Sequence, residues 1–149
     1  MANIQNQKDV SRDRMMDEIA EGTGESEFID FSGKSILVRG CDPQMAIRAS
    51  NMLPPHLGNP EFVSCTADAA FFSKLRGRKW SVIFFAPGAC RYSAAMMPIP
   101  GARSHTMGWN LDQYRNLVRK YQGQDIQIVE TTEEREIIPR LRSALSKAK

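Results

Sequence analysis

The run WSVIFFA, residues 80–86, is followed at once by Pro87-Gly88. It is rich in aromatic and β-branched residues, too short for a helix, and closed by a turn pair. This combination predicts a strand buried on both faces. The run SILV at 35–38 has the same continuous apolar character. EFVSC at 61–65 predicts a further strand, and DIQIVE at 125–130 alternates as a strand with one exposed face does.

Helical signals fill the gaps between these runs. Asp42 followed by Pro43 offers an N-cap and a proline at the first helical position. Met45, Ile47, Ala49, Met52 and Leu53 then fill a helix expected to stop before Pro54-Pro55. Thr66 is expected to cap a helix carrying Ala69, Phe71, Phe72 and Leu75 and ending near Gly77. Asn110 caps another, in which Leu111, Tyr114, Leu117, Val118 and Tyr121 repeat at helical spacing before Gly123. Thr131 and Glu134 read as a capping box for an amphipathic last helix with Ile137, Ile138, Leu141 and Leu145. Pro139 inside that run predicts a kink or a helix that begins near it. Between residues 87 and 108, Ser93–Met97 suggests a helical turn or two, and Pro98, Pro100, Gly101 and Gly108 predict a loop.

The order β-α-β-α-β-loop-α-β-α predicts an α/β fold. Its expected form is a small three-layer sandwich around a four-stranded, mainly parallel sheet with right-handed crossovers. Residues 28–149 form that single domain. Residues 1–27 are polar, lack a sustained apolar period and are expected to be an acidic, flexible tail. GTGESE at 22–27 is its linker, and Met15, Met16 and Ile19 offer one apolar turn for a partner.

Composition narrows the function classes. A chain of 149 residues with 42% apolar and 25% charged side chains is an ordinary one-domain globular protein. No stretch approaches the roughly 18 apolar residues of a membrane span. The N-terminus has no apolar core of a secretory signal and is too acidic for a transit peptide. Cys41, Cys65 and Cys90 are odd in number and show no CxxC, so a soluble, cytoplasmic or otherwise reducing setting is expected. Charge is uneven: residues 1–30 hold three basic and eight acidic side chains, and the other 119 hold seventeen and nine. A basic domain suits an acidic protein, an anionic ligand or nucleic acid.

Ligands of parallel sheets bind beyond the carboxyl ends of the strands, at the switch in strand order. There the loops 39–42 and 86–91 are expected to meet. Cys41 and Cys90 are the candidate nucleophiles, since a helix start and Arg91 both lower a thiol's pKa. The competing reading makes each a small apolar filler, and it is the favoured one. Asp42 is a candidate ligand contact that could bind a metal or accept a proton, with its capping role before Pro43 favoured. Arg91, Arg103 and His105 complete the candidate anion contacts, with a solvated loop as the plainer reading for the last two. Lys74, Arg76, Arg78 and Lys79 are the densest basic cluster, suited to phosphates or, more simply, to a helix C-terminus. There is no glycine-rich phosphate loop, GxSxG or HExxH, and no cofactor or metal is expected.

Two stretches resemble known families. KSILVRGCDPQMAIRASNML, EFVSC, RKWSVIFFA and MMPIPG, between Lys34 and Gly101, resemble the first half of a response-regulator receiver domain, a flavodoxin-like fold. Its magnesium-holding acidic positions fall on Gly40 and Cys41, with only Asp42 acidic, and its phospho-accepting aspartate falls on Ala86. No Lys-Pro follows a later strand. The resemblance implies a pseudo-receiver that binds proteins without phosphotransfer. Glu61–Arg91, with FFAP before a cysteine, is similar to the opening of a thioredoxin domain but lacks its CxxC, leaving Cys90 alone. Neither stretch carries its family's motif, so neither resemblance identifies a family. The leading expectation is a non-catalytic scaffold that binds another protein. A small thiol-dependent enzyme acting on an anionic or phosphorylated substrate comes next, and a nucleic-acid-binding domain third.

Overall fold

The computed structural model describes residues 29–86 and 109–149. The elements are β1 (Ser35–Arg39), α1 (Pro43–His56), β2 (Glu61–Cys65), α2 (Asp68–Gly77), β3 (Val82–Phe85), α3 (Leu111–Gln122), β4 (Gln127–Glu130) and α4 (Ile137–Lys147). A 3-10 turn, Glu134–Glu136, precedes α4. The acidic segment 1–27, its linker and the turns expected over 87–108 lie outside the described residues.

The strands form one sheet in the order β2-β1-β3-β4. Every neighbouring pair is parallel, with Leu37 opposite both Val63 and Ile83, and Ile83 opposite Ile128. A strand's side chains alternate between faces, so the sheet serves two cores. Leu37, Ile83 and Phe85 pack with Phe71, Phe72 and Leu75 of α2 and Leu111, Tyr114 and Val118 of α3. Ile36, Val38, Val82 and Phe84 pack with Leu53 and Leu57 beside α1 and Ile137, Ile138, Leu141 and Leu145 of α4. Burial on both faces explains why β1 and β3 read as unbroken apolar runs.

Several helix ends follow their sequence signals. Asp42 caps α1, accepting from the N–H groups of Gln44 at 3.0 Å and Met45 at 3.4 Å. Asn110 and Gln113 form a reciprocal capping box on α3. Gly123, at φ +101°, ends that helix. Pro139 is the third residue of α4, where its missing N–H would have had no helical partner.

Other ends depart from expectation. α1 continues through Pro54-Pro55. Both prolines sit in its last turn, which is closed by the Pro54 carbonyl accepting from Leu57 and Asn59 N–H at 2.9 and 2.8 Å. Buried Leu53 and Leu57 hold that turn on the sheet. The cap of α2 is Ala67, not Thr66, because Asp68 turns into the interior as the first helical residue. Thr131 makes no box with Glu134. Its Oγ1 instead accepts from Glu133 N–H at 2.9 Å and donates to Glu136 Oε1 at 2.8 Å. β3 begins at Val82 because the Trp80 N–H is taken by Gln122 Oε1 at 2.8 Å rather than by a strand. β4 is likewise shorter than 125–130. Met45, Ile47 and Ala69 are exposed rather than packed inward.

The chain enters the domain over a tight crossing. Phe31 N–H donates to Gly58 O at 2.8 Å, and a Cβ on Gly58 (φ +78°) would lie 2.5 Å from the Ile29 carbonyl. No described helix is long and apolar enough to cross a membrane.

Candidate functional site

The order β2-β1-β3-β4 puts the switch point between β1 and β3, the expected place. On the α1/α4 face of that edge, Ser64, Val38 and Phe84 stand side by side in adjacent strands. One step further out come Gly40 and Ala86, whose chains are tied by Ala86 N–H donating to Arg39 O at 3.1 Å. α1 faces them with two small side chains, Ala46 and Ala49, between Met45 and Met52. Small residues on both walls leave a cavity of about 400 Å³, completed by Leu53, Ile137, Thr132 and Glu134. That volume is within the roughly 300–1,000 Å³ of ligand pockets.

The lining is mainly apolar, with polar groups at intervals. Cys41, Asp42, Arg48 and Glu134 reach it. Ser64 is also part of the wall, its Oγ buried and without a hydrogen-bond partner among the described residues. The Asp42 carboxylate is engaged as the α1 cap. Among the described residues, no group of three or more His, Cys, Asp or Glu side chains stands close enough to hold a metal ion.

The opposite face of the same edge is closed by charge. Arg39, the last residue of β1, is wholly buried, and its Nε and Nη2 both reach Asp68 Oδ1 at 2.8 Å. Tyr114 Oη donates to Asp68 Oδ2 at 2.9 Å, and Arg39 Nη1 donates to Gly40 O at 2.5 Å. A buried ion pair survives only when such additional bonds satisfy its remaining groups. Further along the edge, Glu130 accepts from Arg115, which also pairs with Asp112, and these bonds hold the guanidinium pKa above its ordinary value.

Of the candidates named from sequence, Cys41 and Asp42 stand together at this edge. Cys90, Arg91, Arg103 and His105 lie outside the described residues. His56 is at the far end of α1, its carbonyl accepting from Arg142 Nε at 3.0 Å. Cys65 is buried beneath the Arg39 face, where burial pushes its thiol pKa up against the pull of Lys74 and Arg39. A raised pKa disfavours the thiolate, the reactive form of a cysteine. Arg39, Asp68, Tyr114 and Ser64 were not singled out from sequence. Only Arg39, a cation ending an apolar run, offered a signal.

The basic cluster lies at the other end of the sheet, where α2 runs down to β3. Lys79 Nζ donates to Tyr121 O at 2.9 Å, at the C-terminus of α3, as the dipole reading expects. Arg78 pairs with Glu61 at 2.7 Å and stacks 3.8 Å from the Trp80 ring. No protein-family model, curated protein or solved structure matches this chain.

Proposed function

We propose that this chain is a non-catalytic α/β domain that binds another protein, with an apolar side chain of the partner entering the cavity between β1, β3 and α1. The observation carrying this reading is the mainly apolar lining at the one edge where a parallel sheet would hold its chemistry. Two of the ionisable groups at this edge have structural work: Asp42 caps a helix, and Arg39 pairs with Asp68 on the opposite face. Exposed Met45 and Ile47 on α1 extend the apolar surface outward. Methionine adapts its shape to a partner at little cost.

The strand order agrees with the first four strands of the flavodoxin-type order 2-1-3-4-5. Where a receiver domain would carry its phospho-accepting aspartate, Ala86 forms part of the cavity wall. The strand order suits a receiver-like fold, and Ala86 at that position favours a pseudo-receiver scaffold over a phosphotransfer enzyme.

The test is photo-crosslinking in cells, with benzoylphenylalanine in place of Met45 in the full chain. One discrete protein adduct is expected, and Ala49→Phe, which fills the cavity, should abolish it while circular dichroism stays unchanged. An adduct that survives filling overturns the reading. So does a turnover of phosphorylated compounds that Cys41→Ser abolishes.

A further inference from the structure

The end of the sheet away from the cavity carries a surface that the proposed function leaves unused. Lys74, Arg76, Arg78, Lys79 and Lys120 are all exposed there. Two aromatic rings organise them. The Arg76 guanidinium lies 6.0 Å and the Lys120 ammonium 5.5 Å from the centre of the Tyr121 ring, and Arg78 lies over Trp80. Glu61 is the carboxylate paired within this group. Such a concentration of positive charge attracts anionic groups.

The chain itself supplies such an anion. Residues 1–28 carry seven acidic and three basic side chains, and between Asp13 and Glu27 there are six acidic ones against Arg14 alone. This segment joins the domain at the same end. Ile29 adjoins Gly58, while Lys34 O accepts from Glu61 N–H at 2.9 Å, and Glu61 leads directly to Arg78. The junction therefore lies beside the basic surface, and about 3.4 Å per residue gives ample reach. A tether this short presents the acids at an effective concentration of order millimolar.

We propose that the acidic segment 1–28 docks in cis on the surface formed by Lys74, Arg76, Lys79, Lys120 and Tyr121, shielding it from other polyanions. The docking is chiefly electrostatic and yields to salt.

Zero-length carbodiimide crosslinking of the full chain, mapped by mass spectrometry, tests this. A mixture of ¹⁵N-labelled and unlabelled protein separates links within one chain from links between copies. The expected links join acids of residues 13–27 to Lys74, Lys79 and Lys120 within single chains. They disappear at about 1 M salt, where the screening length is about 3 Å. Arg76→Glu with Lys120→Glu should weaken the links to Lys79 while circular dichroism stays unchanged. Links spread equally over Lys34, Lys147 and Lys149 overturn the proposal, as do mixed-isotope links, which would mean a second copy. A single-stranded oligonucleotide gives an independent reading. Neutralising Asp17, Glu18, Glu21 and Glu25 to Asn or Gln should strengthen its binding severalfold, and unchanged binding would mean the acids do not cover the surface.

Discussion

The two faces of the sheet's carboxyl edge solve the same packing problem in opposite ways. On the α2/α3 face, the last β1 side chain is a buried guanidinium held by Asp68 and Tyr114, with aromatic rings around them. Tyr114 sits edge-on to Phe85 and Trp109 at centroid distances of 6.2 and 5.3 Å. On the α1/α4 face, the equivalent positions are Gly40 and Ala86, opposed by Ala46 and Ala49, and space remains. One face spends its polar groups on itself. The other keeps a concave, largely apolar surface, with the buried Ser64 hydroxyl in its wall. Charge near a strand end therefore marks packing on one face of this edge, and small side chains mark open volume on the other.

The contrast is broken most severely at Asp68. Asp68→Ala leaves Arg39 buried without its counter-charge, and a loss of about 3–5 kcal/mol is expected. The readout is the urea midpoint at unchanged slope. A loss below about 1 kcal/mol would mean that water reaches this face and the two ends are alike. Tyr114→Phe removes a single bond to a charged acceptor and should cost about 1.5–3 kcal/mol by the same measurement. Ser64→Ala on the other face should have the opposite sign or none, a gain of up to about 1 kcal/mol, since no bond is lost and a buried hydroxyl is removed. A clear loss there would show that Ser64 is engaged and the cavity is not the open side.

The smallest effect is acid sensitivity beyond the cavity rim. The Thr131 hydroxyl, and then Arg140, hold the exposed Glu136 carboxyl below its ordinary value of 4.5. A carboxyl pKa depressed in the folded state stabilises above its unfolded value, and that contribution is lost as pH falls through the lowered value. Amide signals of Thr131 and Glu133 should therefore shift below about pH 4.5. Glu136→Gln should flatten that shift without moving the Arg39 face.

Much of this fold was legible from sequence because its signals are local. Continuous apolar runs marked β1 and β3, and Asp42-Pro43, Asn110 and Gly123 marked helix ends through chemistry within a few residues. The departures came from contacts between distant residues. Pro54-Pro55 were read as a stop, yet buried Leu53 and Leu57 hold the turn that contains them. Trp80 was read as strand, yet Gln122, 42 positions away, takes its N–H. The edge at which the cavity lies was legible from topology alone, but the cavity's lining was not. Gly40, Ala46, Ala49 and Ala86 make the cavity by what they lack, and small side chains leave no trace in a hydrophobic pattern. Asp68 and Tyr114 looked like ordinary helix residues because their partner, Arg39, arrives from another layer.

The crossing at Gly58 has a mechanical consequence. The hydrogen bond from Phe31 to Gly58 ties the entering chain to the end of α1, just ahead of a central strand paired on both sides. A pull on the N-terminal segment would first load that single bond. It would then load both ladders of β1 together, in shear along their length rather than bond by bond as in unzipping. Force on the N-terminal segment would thus reach the sheet through its central strand β1, after the bond between Phe31 and Gly58.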